Sequence, residues 1–237
     1  INSTVGKDSR SIPKWYDSKK NIDYYHGHAK FISDKIVEVN GKKLTAKRIY
    51  IATGAKPNIP PIPGLKDTPY MTSTEALRNK KLPKKLIVIG GGYIACELGY
   101  AYSALGSDVT FLVRGELLAR EDVDIKKEFS KAFCKQQKVK FVKTQNVEYK
   151  NKQFIVTTDK GKVKGDGLLV ATGIKPKTDN LGLENTNIKT NRGFIKVNKY
   201  LETSVKNVFA LGDCVGNFMF RHSVNFEGEY LFDSLKK

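Results

Sequence analysis

Residues 86–120, LIVIGGGYIACELGYAYSALGSDVTFLVRGELLAR, constrain the fold more than any other stretch of the chain. The run from Leu86 to Ile89 reads as a buried strand. It leads into Gly90, Gly91, Gly92, Tyr93, Ile94 and Ala95, a G-x-G-x-x-A turn. The turn opens a helix whose apolar face is expected to carry Ile94, Leu98, Ala101 and Leu105. A second apolar strand, Val109 to Val113, ends at Arg114. Strand, glycine turn, helix and strand form the geometry that carries a dinucleotide. Gly90 permits the tight turn, Gly92 lets the backbone approach a pyrophosphate, and Ala95 keeps the helix close to the strand. The helix N-terminus offers N–H groups to the phosphates. Glycines serving only tight α/β packing are the alternative, and the complete flanking context weighs against it.

The end of the second strand chooses between nicotinamide cofactors. An acidic side chain there accepts hydrogen bonds from the adenosine ribose, whereas guanidinium groups pair with a 2′-phosphate. Here the position holds Arg114, with Arg120 six residues on. Only seven of the 42 basic residues are arginine, so two beside one turn point to NADPH over NADH. For Arg120 the alternative is a solvated charged run with Glu121, Asp122 and Asp124.

At 237 residues the chain suffices for one large domain or two small ones. No apolar run approaches the roughly 20 residues that span a bilayer, and no signal peptide is visible. Cys96, Cys134 and Cys214 form no C-x-x-C or C-x4-C pair, which favours a reducing, cytoplasmic setting. The net charge of +18 is carried mostly by lysines spread along the chain. That pattern does not mark a nucleic-acid site, and it suits a polyanionic cofactor equally well. His26 and His28 lack further ligands for a metal and read as strand-face residues.

Taken in order, the first 25 residues are polar and poorly periodic, and the start at Ile1 reads as the interior of a longer chain. Lys30 to Val39 is expected to be one extended stretch, with Asn40-Gly41 as a type I′ hairpin turn. Arg48 to Ala52 reads as a buried strand ending at Thr53-Gly54. Residues 56–64, KPNIPPIPG, read as a linker, and Thr72 to Leu77 as a capped short helix. Ile125, Phe129, Ala132 and Phe133 define the expected face of a second helix, with Cys134 packed beside it. Val147 to Tyr149 and Phe154 to Thr158 form an antiparallel excursion before a buried run, Gly167 to Val170. Ala171-Thr172-Gly173-Ile174-Lys175-Pro176 then repeats Ala52-Thr53-Gly54-Ala55-Lys56-Pro57, 119 residues later (52 to 171). Counted from that repeat, the first copy's glycine fingerprint would fall before Ile1. Asn207 to Cys214 supplies one more buried strand, closing on Gly212-Asp213. Asp213 is either a hydroxyl-binding carboxylate or a turn residue. Val224, Leu231 and Leu235 mark a final helix.

Together these residues resemble the FAD-dependent pyridine nucleotide–disulfide oxidoreductases, the family of glutathione, mercuric and mycothione reductases and dihydrolipoamide dehydrogenase. The tail RHSVNFEGE looks most like the mycothione reductase branch. The resemblance implies that GGGYIACE binds NADP(H), with Tyr93 as an aromatic lid over the nicotinamide pocket and Glu97 near the carboxamide. It places Arg114 and Arg120 on the 2′-phosphate and Gly173 at the same site. Thr53, Gly54, Gly212 and Asp213 would line FAD, Asp213 on its ribityl chain. The expected fold is α/β with two Rossmann-like domains, the NADPH domain complete and the FAD domain partial. The expected boundaries are 1–70 (partial FAD domain), 71–190 (NAD(P)H domain) and 191–237 (return segment of the FAD domain).

The chain departs from the family at several points. The FAD fingerprint, the redox-active cysteine pair and the C-terminal interface domain are missing, and Ile174 replaces a frequent arginine. His222 and Glu227 lack the family's His-Pro context and are rejected as its acid–base dyad. No residue is assigned as catalytic or metal-binding. The function read from this is the central fragment of an oxidoreductase passing hydride from NADPH to FAD and on to a disulfide or similar small acceptor. The fragment is expected to be inactive alone, and its full-length parent homodimeric without nucleic-acid or membrane partners. The alternatives are a non-enzymatic NADP(H)-binding module and a flavin reductase using a single cysteine, Cys96 or Cys214.

Overall fold

The computed structural model describes residues 2–234. The chain forms two compact units, one of Ile1–Lys56 with Ile174–Lys237 and one of Pro57–Gly173. The first unit opens with a helix, α1 (Asn2–Asp17), that no periodicity announced. Strands β1 (Ala29–Ser33), β2 (Ile36–Val39) and β3 (Lys42–Leu44) follow as an antiparallel meander. The single stretch expected over Lys30 to Val39 is broken at Asp34-Lys35, where Ser33 pairs with Ile36. The cause is the Asp34 carboxylate, which accepts hydrogen bonds from the Asn187 amide at 2.6 Å and Nδ2 at 2.8 Å. Asn40 and Gly41 both take positive φ, 51° and 77°, as a type I′ turn requires. His26 and His28 precede β1 instead of lying on its face, and His28 Nε2 contacts the Asn180 carbonyl oxygen at 2.8 Å. Strands β4 (Ile49–Ile51) and β5 (Ala55–Pro57) complete this half of the unit.

In the second unit, the proline-rich segment is packed and does not behave as a free linker. Ile59 and Ile62 lie against a core cluster, and the Pro63 carbonyl accepts from the Val147 amide at 2.9 Å. Proline brings no N–H that burial would leave unpaired, so such a segment can pack without a strand partner. Helix α2 (Ser73–Ala76) carries the expected capping box: Glu75 accepts from the Thr72 amide, and Thr72 Oγ1 accepts from the Thr74 amide. Then come β6 (Lys85–Ile89), α3 (Tyr93–Ala104), β7 (Asp108–Val113), α4 (Val123–Gln136) and β8 (Lys138–Phe141). An antiparallel meander of β9 (Thr144–Lys150), β10 (Gln153–Thr158) and β11 (Gly161–Gly165) leads to β12 (Gly167–Val170). The parallel sheet has the order β12-β6-β7-β8. In chain order this is 4-1-2-3, the doubly wound arrangement, with the turn after β6 at the point where the order reverses.

Both helices present a different face to the core from the one expected. In α3 the buried residues are Ala95, Cys96, Gly99 and Tyr102, while Leu105 is 69% exposed and Ala101 is also exposed. The helix approaches β7 so closely that a Cβ on Gly99 would lie 2.3 Å from the Phe111 ring, so only small residues fit at the contact. Tyr102 then reaches past the helix end to donate to the Ala76 carbonyl at 2.8 Å. In α4 only Phe133 is buried, and it stacks on half-buried Phe129 and meets Phe111 edge-on. Ile125 and Ala132 are exposed, and so is Cys134, which therefore does not pack.

The chain returns to the first unit through β13 (Ile174–Pro176), the hairpin β14 (Thr190–Asn191) and β15 (Phe194–Ile195), and β16 (Val208–Ala210). Strand β16 pairs in parallel with β4, Val208 beside Ile49 and Ala210 beside Ile51. Helix α5 (Arg221–Ser234) ends the described chain with Leu231 buried and Val224 half-buried; Leu235 lies outside the described residues. The repeat is architectural: a three-stranded meander, a parallel strand, Ala-Thr-Gly and a short strand occur twice. Gly54 O accepts from the Lys177 amide and Gly173 O from the Asn58 amide, both at 2.9 Å and each within one unit. Asn58 and Lys177 stand at the same 119-residue offset (58 to 177).

Gly99→Ala tests the α3 contact. Helix propensity alone favours alanine by about 1 kcal/mol. Overpacking against Phe111 should reverse the sign and cost about 1–3 kcal/mol in urea denaturation. Phe111→Leu in the same chain should make the combined loss smaller than the sum of the single losses. A stabilised Gly99→Ala chain would contradict the packing.

Candidate functional site

The turn between β6 and α3 is shaped by three glycines with three different reasons. Gly90 has φ +138°, and a Cβ there would lie 2.2 Å from the Ala171 carbonyl oxygen. Gly91 fits between Val113, whose Cγ1 a Cβ would meet at 2.8 Å, and the Glu116 carbonyl oxygen at 3.2 Å. Gly92 is unlike both: its φ is −86° and nothing lies within 4 Å of where its Cβ would be. Neither backbone conformation nor packing calls for glycine there. The residue is the N-cap of α3, where serine, threonine or aspartate would normally cap the helix, and it supplies no side-chain cap. What remains is an open N-terminal mouth on a twelve-residue helix, which suits an anion brought close to the backbone. Ala95, fully buried beneath Gly90, and half-buried Ile94 set the helix on the sheet.

The loop after β7 is stapled to this turn. The Leu118 amide donates to the Gly91 carbonyl at 2.7 Å, with Leu118 in the left-handed region at φ 48°. Leu117 and Leu118 are buried, so the loop is anchored by packing as well. Arg114 and Arg120 flank the staple, both exposed. Among the described residues neither arginine forms an ion pair. Tyr93 and Glu97 start α3 on exposed positions, and the Tyr93 hydroxyl donates to the Glu121 carboxylate. That bond, desolvation and the charges of Glu121 and Glu97 raise the Tyr93 phenol above its ordinary range. Gly173 follows Ala171, whose amide donates to Ile89 O at 2.9 Å, and the Gly173 Cβ position is open. Gly90 to Ala95, Glu97, Arg114, Arg120 and Gly173 therefore all belong to Pro57–Gly173.

Thr53, Gly54, Gly212 and Asp213 gather in the other unit. The Leu211 amide donates to Ile51 O at 3.1 Å, which ties the turn after β16 to the end of β4. Thr53 Oγ1 is buried without a hydrogen bond of normal geometry. Gly212 takes φ +74°, and its amide donates to Glu227 Oε2 at 2.7 Å. Sequence reasoning weighed Glu227 only as half of a dyad; the structure gives it the task of holding the Gly212-Asp213 turn. The Leu118 staple likewise had no signal beyond a leucine pair after the strand. Two surface hollows, one of about 400 Å³ by Lys140, Phe141, Lys160 and Lys162 and one by Lys47, Arg48 and Tyr50, share no residue with either turn.

The cysteines do not suit thiol chemistry. Cys96 is buried, and burial together with the Glu97 charge pushes its thiol up to about 11. Burial also raises the Cys214 thiol, against the opposing pull of the Thr53 and Gly54 amides. A nucleophilic cysteine needs the reverse, a depressed value and access.

Known proteins resemble this arrangement closely. A mercuric reductase from Lysinibacillus sphaericus is 40% identical over 223 residues, covering 90% of this chain and 41% of that protein. A dihydrolipoyl dehydrogenase from Acholeplasma laidlawii is 33% identical over 218 residues, covering 89% of this chain and 64% of its own length. The solved structure of the HOCl-induced flavoprotein disulfide reductase RclA from Escherichia coli superposes with a TM-score of 0.91 at 32% identity, covering 99% of this chain and 55% of that one. The chain thus spans about two fifths of the mercuric reductases it matches. Relatives of these types use FAD and NAD(P)H. With a parallel 4-1-2-3 sheet, a glycine turn at its switch point and a family profile matching residues 5–228, the chain belongs to the pyridine nucleotide-disulphide oxidoreductase family.

Proposed function

We propose that Pro57–Gly173 is an NADPH-binding domain and that the other unit forms part of an FAD site. The whole protein would be an oxidoreductase reducing a disulfide or similar acceptor. The observation that carries the reading is Gly92, a glycine with no structural reason to be one, at the mouth of a helix beside two unpaired arginines. A pyrophosphate fits the first feature and a 2′-phosphate the second.

The division of labour follows from the residues. Gly92 and the first turn of α3 receive the pyrophosphate, Arg114 and Arg120 the 2′-phosphate, and Tyr93 and Glu97 border the nicotinamide end. In the other unit, Asp213 offers a carboxylate to ribityl hydroxyls, and buried Thr53 Oγ1 offers a donor without a protein partner. Glu227 keeps the Asp213 turn in place through the Gly212 amide. Bound nicotinamide and flavin supply the hydride transfer; the chain binds and orients them. Buried Cys96 and Cys214 count against the single-cysteine reading.

Arg114→Glu should weaken NADPH at least tenfold more than NADH in fluorescence titration, because it sets a carboxylate against the 2′-phosphate. Equal losses for both cofactors would sink the assignment of Arg114. Gly92→Val should leave the melting temperature within about 2 °C, since no atom occupies the Cβ position, yet abolish NADPH binding. Unchanged NADPH affinity would place the ligand elsewhere. With a thiol reagent at pH 8, exposed Cys134 should react fast while Cys96 and Cys214 resist until the chain unfolds. Rapid modification of either buried thiol in the native chain would revive the single-cysteine alternative.

A further inference from the structure

The loop from Gly115 to Asp122 lies between two arginines, and it also holds three carboxylates, each already engaged. Glu116 pairs with Lys126 Nζ at 2.8 Å. Asp122 caps α4, accepting from the Asp124 amide at 2.9 Å. Glu121, next in sequence to Arg120, accepts the Tyr93 hydroxyl. Its place is not incidental, because its own amide donates to Leu118 O at 2.9 Å and Leu118 is the residue stapled to Gly91. The carboxylate is thus held toward the start of α3, while Arg120 has no ion pair among the described residues.

We propose that Tyr93 is a specificity-determining residue for the 2′-phosphate: by holding the Glu121 carboxylate, its hydroxyl keeps that charge from pairing with Arg120 or repelling the phosphate. A carboxylate in this loop is the feature that favours NADH over NADPH elsewhere. Here the chain carries one and turns it away. Glu121 released from Tyr93 has a guanidinium as its sequence neighbour and gains more from an ion pair than from water. A cofactor phosphate must then compete with it for Arg120. Glu97, which also faces Tyr93 across one helical turn, adds a repulsion that disfavours ionisation of the phenol and keeps it a donor. The inference rests on the NADPH reading of this site and adds to it the residue pair that maintains the preference.

The test uses NADPH and NADH affinities, measured calorimetrically on the chain as it stands and on Tyr93→Phe, Glu121→Gln and the double variant. Phenylalanine keeps the ring and removes only the hydroxyl. Tyr93→Phe should lower the NADPH:NADH affinity ratio about fivefold at low ionic strength, and less at 0.5 M salt, where the charge is screened. Glu121→Gln should leave the ratio equal or higher, and in the double variant it should restore the ratio to the starting value. A ratio unmoved by Tyr93→Phe, or one lowered but not restored by Glu121→Gln, overturns the proposal. An unaltered chain indifferent between the two cofactors overturns the NADPH reading and the specificity role with it. The hydrogen bond is tested separately by NMR titration of the Tyr93 phenol: Glu121→Gln should lower its pKa, and an unmoved titration shows that no such bond holds Glu121.

Discussion

The contact on which the second unit depends is the bare α-carbon of Gly90 against the carbonyl of Ala171. Strands β6 and β12 are neighbours in the parallel sheet, and their carboxyl ends meet at this point. A methyl group on Gly90 would stand 2.2 Å from the Ala171 oxygen, so the strand ends could not close together. The same residue needs φ +138°, which an L-amino acid rarely adopts. From this one constraint follow the start of α3, the placement of Ala95 beneath the turn and the open position at Gly92. The staple from Leu118 to Gly91 then fixes the arginine-bearing loop to the same turn. The helix mouth and the two guanidiniums are therefore built as one rigid piece, so little ordering remains to be done when a dinucleotide arrives.

The repeat explains why two short sequence signatures recur in such different settings. Each copy feeds a parallel strand into Ala-Thr-Gly with glycine in a positive-φ conformation, +69° at Gly54 and +115° at Gly173. After the glycine the chain changes units in opposite directions, entering Pro57–Gly173 in one copy and leaving it in the other. The matched hydrogen bonds of Gly54 with Lys177 and Gly173 with Asn58 are what equivalence of the two copies demands. Neither bond involves a side chain, so the repeat can be kept while the side chains diverge.

Much of this was legible in the sequence wherever one residue type has one physical use. The glycine turn, the Asn40-Gly41 hairpin, the Thr72 capping box and the paired Ala-Thr-Gly segments all belong to that class. The helix faces were misread for an equally physical reason. Spacing of large apolar residues picks out Ile94, Leu98 and Leu105, but a helix pressed against a sheet buries its smallest residues, here Ala95 and Gly99. The break at Asp34 depends on Asn187, more than 150 residues away, and no local pattern could signal it. At the site, the arginines were visible by position, whereas the Leu118 staple, the Glu227 bond to Gly212 and the Glu121–Tyr93 bond are long-range pairings that only the fold brings together.

Charge gives the last step. A net charge of +18 attracts any polyanion, but a diffuse field selects none. Selection needs cations that the protein itself has not neutralised, beside donors fixed in place. Several lysines spend their charge internally, Lys56 and Lys175 on Asp179 and Lys138 on Asp108, in exposed pairs that contribute little to stability. In the loop after β7 the arrangement is reversed: the carboxylates take a lysine, a helix amide and a tyrosine hydroxyl, and the guanidiniums are left unspent. Arginine suits that role because its planar fork meets a phosphate with two hydrogen bonds at once. Anion specificity in this unit therefore rests as much on where its acids are held as on where its bases stand.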